Sequence, residues 1–297
     1  KFLLVLDDVW NKNHSDWDLL KSPFTAGAHG SKIILTTRSI DVASIMQTVP
    51  VYHLEQLSNI ECWLIFSKHA FENGNPGGQQ DLEAIGLKIV EKCKGLPLAA
   101  KTLGGLLRSK LEVEEWEDVL KSDIWELPND ESNILPALLL SYHHLPSHLK
   151  RCFAYCAIIP KDFEFEKEML VRLWMAEGFL QQPKIGRRIE EIGDSYFREL
   201  ISRSLLEQSS GGKFIMHDLI NDLANVASGE FCFRFNDNRR PNISRVRHFS
   251  FLSKLDFGEV MVINEAKFLR TFLSLGQYYA APPSKTVLDD LFSTQRY

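Results

Sequence analysis

Two aspartates close an apolar run at the start of the chain, Leu3-Leu4-Val5-Leu6-Asp7-Asp8. Four consecutive apolar residues suit a strand buried on both faces of a parallel sheet. Such a strand delivers a carboxylate at its C-terminal end, where ligands sit in open α/β sheets. A hard oxygen there can hold Mg²⁺ against phosphates; two acids capping the strand or the next helix would read the same. Thr36-Thr37-Arg38 ends the next run, 31–38, and puts a guanidinium on the same edge. Arginine reads a terminal phosphate through paired hydrogen bonds, or is simply a surface residue. Gly95-Leu96-Pro97-Leu98 describes a sharp turn between helices with a proline ring at a helix start. That ring can pack on an adenine face, or the turn can be only a turn. Met216-His217-Asp218 stands between a short strand and a helix carrying Leu219, Ile220, Leu223 and Ala227. A histidine at a helix start can donate to a phosphate; it can equally be structural, with Asp218 a helix-start acid.

The elements around these residues follow from periodicity. Strands are expected at 2–6, 31–38 and, more weakly, 51–54, with helical stretches at 16–20 and 41–46 between them. Ser58 and Glu61 have capping-box spacing and open a helix to about Phe71. Alternating strands and helices indicate an open α/β sheet. Asn73-Gly74-Asn75-Pro76-Gly77-Gly78 is a linker, and helices dominate beyond it. Leu82, Ile85, Ile89, Val90 and Cys93 recur at helical spacing, Gly95 stops that helix and Pro97 starts the next. Trp116, Val119, Leu120 and Ile124 mark another, and Pro128-Asn129-Asp130 separates this small helical unit from the next. Further helices are expected at 134–145, 149–158, 169–179 and 187–206, then a turn at Gly211-Gly212 before a short strand at 213–216. Helices followed by a small hairpin describe a winged helix. From Pro241 the pattern changes to short strands at 246–251 and 269–273.

Taken together and in this order, these motifs resemble the NB-ARC nucleotide-binding switch of plant disease-resistance proteins. Cys93-Lys94-Gly95-Leu96-Pro97-Leu98-Ala99 and Leu149-Lys150-Arg151-Cys152-Phe153-Ala154-Tyr155-Cys156 agree with it, and Trp10 after Asp7-Asp8-Val9 looks like the coiled-coil class. The resemblance covers essentially the whole chain. It implies part of a P-loop NTPase parallel sheet at 1–72, a helical subdomain at 73–131 and a winged-helix subdomain at 132–235. A linker and the start of a leucine-rich-repeat region would occupy 236–297, with 269–273 and 287–292 similar to the run-in to the repeats. The resemblance further implies an ADP/ATP switch, ADP-bound at rest, with at most slow hydrolysis. Asp7 would belong to the Mg²⁺ site and Asp8 would be the candidate water-activating base. Arg38 would sense phosphate, Pro97 would contact adenine, and His217 would latch the ADP β-phosphate. The implied partners are the protein's own coiled-coil and leucine-rich-repeat domains, a pathogen effector or guarded host protein, and further copies on activation. The implied place is the cytoplasm, with membrane contact only after activation and no direct nucleic-acid contact. The Gly-x-x-x-x-Gly-Lys-Ser/Thr loop does not occur. Gly27-Ala28-His29-Gly30-Ser31-Lys32 has the wrong spacing and precedes a strand, not a helix. The start at Lys1, inside an apolar run, reads as a piece whose phosphate cradle lies upstream.

Composition sets the outer bounds. Of 297 residues, 44% are hydrophobic and 25% charged, the balance of a globular protein, and the net charge of −5 argues against binding nucleic acid through bulk charge. Five cysteines, an odd number, do not suggest a disulfide framework. His144, His148, Cys152 and Cys156 recur every four residues and invite a zinc reading. Four-residue steps drift around a helix, however, and Pro146 breaks the register. The winged helix could instead bind DNA through Arg234, Arg239, Arg240, Arg245 and Arg247, or the protein could be a turnover ATPase.

Overall fold

The computed structural model describes residues 1–127, 134–182, 186–235, 242–252 and 266–276. The expected run at 287–292, Arg239, Arg240 and the separator at 128–130 lie outside them. The chain divides into two compact units, Lys1–Glu55 and Gln56–Tyr297.

In the first unit, β1 (Leu3–Leu6) lies parallel to β2 (Lys32–Leu35), with Leu3 opposite Lys32 and Leu6 opposite Leu35. A crossover through α1 (His14–Lys21) joins them, as a parallel pair requires. Asn13 caps α1 by accepting from the Ser15 N–H, and Trp17 is the buried residue of that helix, its indole N–H donating to the Asn11 carbonyl. After β2 comes α2 (Ile40–Met46), which buries Val42. Two expectations are corrected here. The strand at 2–6 is not buried on both faces: Leu3 is 64% and Val5 56% exposed. It has one ladder partner among the described residues, and nothing among them covers those side chains. The segment 51–54 is not a strand, and Tyr52 and Leu54 are exposed. Its apolar residues find no ladder partner, so propensity alone does not hold it extended in a sheet.

The second unit holds two large cores. The helical one is built by α3 (Asn59–Ala70), α4 (Gln80–Lys92), α5 (Pro97–Leu107) and α6 (Val113–Leu120). Phe66, Ile89, Leu103, Leu106 and Trp116 fill it. The capping box opens α3: Ser58 accepts from the Glu61 N–H, and Glu61 accepts from the Ser58 N–H at 2.8 Å. The buried face of α3 packs with α4 and α5. Next, α7 (Pro136–His143) contributes to both cores, Ala137 and Leu140 to the helical one and Leu138 to the next.

The second core comprises α8 (Ser147–Tyr155), α9 (Lys167–Ala176), α10 (Ile189–Ser202), the hairpin β3 (Glu207–Gln208) to β4 (Phe214–Ile215), and α11 (Asp218–Ser228). Phe153, Trp174, Phe197 and Leu223 are fully buried in it. The helix expected over 187–206 stops at Ser202, because Ser204 adopts φ 58° and the Leu205 N–H turns back to the Leu200 carbonyl. Beyond lies a three-stranded parallel sheet in the order β5 (Cys232–Arg234), β6 (His248–Phe251), β7 (Thr271–Ser274), packed around Phe249.

The helical and winged-helix parts meet at α5. Gly105 lies so close to the end of α10 that a Cβ would stand 2.7 Å from the Ser202 carbonyl oxygen and 3.0 Å from the Arg203 Cα. Lys101, one turn earlier, pairs with Glu207 at 2.8 Å.

Candidate functional site

The parallel register of β1 and β2 brings their C-terminal ends side by side, and with them Asp7, Asp8, Thr36 and Arg38. The Thr36 hydroxyl donates to Asp7 Oδ1 and accepts from the Asp8 N–H at 2.9 Å. Asp8 turns the chain with φ 47°, a left-handed conformation that aspartate tolerates better than a branched residue. That turn aims its carboxylate at Arg38, whose Nη2 donates to Oδ2 at 3.2 Å and Oδ1 at 3.3 Å. The Arg38 guanidinium also lies over the Trp10 ring, 4.4 Å from its centroid. Thr37 fixes the same edge by donating to the Val9 carbonyl at 2.6 Å. The Thr36 bridge between Asp7 and the Asp8 N–H and the Trp10 stack are the parts that sequence spacing missed; a threonine pair ending a strand opposite two acids is the signal that could have found the bridge.

Asp7 is exposed, and among the described residues its Oδ2 takes no hydrogen bond. An open carboxylate oxygen at a strand end is the donor that a hard divalent cation prefers, so the residue fits a Mg²⁺ ligand. Asp8 is differently placed. Both of its carboxylate oxygens accept from Arg38 Nη2, which occupies them in this arrangement.

Pro97 and His217 lie in the second unit. Pro97 is the first residue of α5 and is exposed. The turn before it depends on Gly95, at φ 72° and buried, where a Cβ would stand 2.5 Å from the Leu57 carbonyl. The Leu57 N–H returns a bond to the Gly95 carbonyl at 3.0 Å. His217 is the N-cap of α11, its Nδ1 accepting from the Leu219 N–H at 3.2 Å. A neutral imidazole that accepts at Nδ1 carries its proton on Nε2. The ring is exposed. Asp218 is the first helical residue and the acid of the first turn, while the capping acceptor is His217 itself.

The remaining sequence candidates have structural roles. Cys152 and Cys156 are buried in the winged-helix core; burial pushes the Cys152 thiol up to about 12, and Cys156 donates to the Cys152 carbonyl. His148 lies against the Tyr196 ring, 4.5 Å between centroids. Arg234 is buried and donates to the Ile159 carbonyl at 2.9 Å and Asn221 Oδ1 at 2.7 Å. Arg245 pairs with Glu230 at 2.8 Å. Arg234 is therefore an internal brace and cannot contact DNA.

The chain thus combines a parallel strand pair ending in acids and a facing arginine, a helical unit and a second helical core with a small hairpin. Residues 1–75 match the NB-ARC domain, and residues 158–224 match the disease resistance protein winged helix domain. The chain is 53% identical over 278 residues to putative disease resistance RPP13-like protein 1 of Arabidopsis thaliana, covering 92% of this chain and 26% of the relative. It is 46% identical to disease resistance protein RGA2 of Solanum bulbocastanum (93% of this chain, 28% of the relative) and 36% identical to disease resistance protein RPM1 of Arabidopsis thaliana (80% and 27%). The chain belongs to the NB-ARC, winged-helix disease-resistance proteins of plants. It spans about a quarter of the length of these curated relatives. Among the described residues, no helix is long and apolar enough to cross a membrane.

Proposed function

We propose that the chain supplies the metal-side, sensor and latch residues of an ADP/ATP-dependent switch in a plant immune receptor of the coiled-coil class. The receptor rests closed with ADP and opens on exchange for ATP. The observation that carries this reading is the convergence of Asp7, Thr36, Asp8 and Arg38 at one end of a parallel strand pair, the edge at which open α/β sheets bind ligands. Bound Mg²⁺ supplies neutralising charge to phosphate oxygens. Asp7 holds it through the open Oδ2, while Thr36 keeps the carboxylate turned outward. Arg38 is kept extended by Asp8 and Trp10 and exchanges the Asp8 carboxylate for a terminal phosphate. Asp8, released by that exchange, is the base beside the attacking water, and its tie to Arg38 keeps hydrolysis slow. Pro97 offers its exposed ring to adenine, and His217 donates its Nε2–H to the ADP β-phosphate.

The subdomain plan 1–72, 73–131, 132–235 and 236–297 belongs to the same proposal. The parallel order of β5, β6 and β7 supports reading the last segment as the run-in to leucine-rich repeats, whose strands also stack in parallel. The partners in this reading are the receptor's own coiled-coil and repeat domains, an effector or guarded host protein, and further copies after opening. The receptor works in the cytoplasm and reaches a membrane only once activated. Steady-state phosphate release by the intact receptor tests the switch against a turnover ATPase. Fewer than one turnover per minute with ADP retained is the expected result, and sustained fast release would overturn the reading.

A further inference from the structure

A cavity of about 310 Å³ lies where α7, α8 and α11 meet the start of the parallel sheet. That volume is within the range of small-ligand sites. Its lining is mainly apolar, with the rings of Tyr142, Phe179 and Phe231 among its walls. Three cations, Lys150, Arg151 and Arg247, line it as well, and no carboxylate does. Each cation is set over one of those rings: Lys150 Nζ is 5.7 Å from the Tyr142 centroid, Arg151 Cζ 6.0 Å from Phe179 and Arg247 Cζ 5.0 Å from Phe231. None of the three has a carboxylate partner among the described residues, whereas Arg245, next to this group in sequence, pairs with Glu230.

A flat ring face partly stabilises a cation but leaves its N–H donors unmet. Three such cations around an apolar cavity raise the local positive potential and favour a guest that brings its own negative charge. The apolar walls require the rest of that guest to be hydrophobic. We propose that this cavity binds a small amphipathic carboxylate, its ring or chain among Tyr142, Phe179 and Phe231 and its carboxylate toward Lys150, Arg151 and Arg247. Lined by both α8 and Cys232, the first residue of β5, the site would let such a ligand tie the winged helix to the parallel sheet. Nothing in this proposal depends on nucleotide.

The test uses 2-naphthoate and its uncharged counterpart 2-naphthalenemethanol, titrated into the 297-residue chain by calorimetry at low salt. The expected result is at least tenfold tighter binding of 2-naphthoate, lost on Lys150→Gln with Arg247→Gln while 2-naphthalenemethanol is unaffected. Circular dichroism checks the fold of the double variant; if it fails to fold, each single substitution is measured, and each should reduce the preference for the carboxylate severalfold. Equal binding of the two probes, no binding of either at millimolar concentration, or a preference that survives in the folded variants would overturn the proposal.

Discussion

The Arg38 guanidinium pairs with the Asp8 carboxylate at 3.2 Å and lies over the Trp10 ring, 4.4 Å from its centroid. Both members of the ion pair are well exposed, at 46% and 38%, so the pair itself adds little to stability. Asp8→Asn keeps a side chain that tolerates the left-handed backbone and should change unfolding free energy by less than about 1 kcal/mol. Asp8→Val places a β-branched residue at φ 47° and should destabilise by a further ~1–2 kcal/mol. Urea unfolding of the two variants checks this. Equal stability would mean that the left-handed turn is not held in solution.

Gly105 tests the junction between the helical and winged-helix parts. Alanine would raise helix propensity, yet its Cβ would meet backbone atoms of Ser202 and Arg203 that cannot rotate away. We expect Gly105→Ala to destabilise by about 1–3 kcal/mol, the range for overpacking. An unchanged or raised urea midpoint would show that α5 and α10 are not in contact.

The pH dependence of stability should carry the signature of His248. Burial pushes this imidazole down to about 4; Glu177 beside it opposes the shift, and Arg270 and Arg247 add to it. In the unfolded chain it titrates near about 6.5. Between those values the unfolded state binds a proton that the native state refuses, so the contribution is complete above about pH 6.5 and is lost as pH falls toward about 4. The slope is roughly 1 kcal/mol per pH unit. Urea midpoints at pH 7, 6 and 5 should fall accordingly, and His248→Asn should flatten the fall whatever it does to the midpoint at pH 7. An equally steep fall in the variant would assign the effect to other groups.

Features set by neighbours in sequence were legible before the structure. The Ser58–Glu61 capping box, the Gly95 turn with Pro97 starting α5, and the amphipathic faces of α4 and α10 each depend on residues within a few positions. The pairing of the two strands that lead into Asp7 and Thr36 was legible as well, despite the 29 residues between partners, because two apolar runs joined through a helix have few other arrangements. The segment 51–54 failed because a short apolar run with no partner strand among the described residues does not make a ladder. Nor could spacing reveal that Tyr155 and Glu177 meet Thr271. The Thr271 hydroxyl donates to Glu177 Oε1 at 2.5 Å across 94 residues, and that contact depends on how β7 docks on the winged helix. His217 was readable as a helix-start residue, but its role as the capping acceptor, and hence which nitrogen carries the proton, needed coordinates.

Capping and latching by His217 can be separated in the intact receptor. His217→Asp retains a capping acceptor for the Leu219 N–H but puts a negative charge where phosphate would sit; His217→Ala loses both functions, with a capping cost of about 1 kcal/mol. Loss of one hydrogen bond to a charged group costs about 1.5–3 kcal/mol, a shift of roughly ten- to a hundredfold in the closed/open ratio. A resting open population of about 1% would rise to a tenth or a half of the molecules. Both variants, and Asp218→Val through the first turn of α11, should trigger cell death in leaf tissue without a pathogen. Silence of His217→Asp alongside activity of His217→Ala would reassign the residue to helix capping alone.

The most direct test of the switch is the nucleotide carried by the intact receptor purified from unchallenged tissue, released by denaturation and quantified per chain, for the parent and His217→Asp. Close to one ADP per parent chain, falling at least tenfold or replaced by ATP in the variant, is the expected result. A parent free of nucleotide, or a variant that keeps its ADP in full, would contradict an ADP-held switch latched by His217.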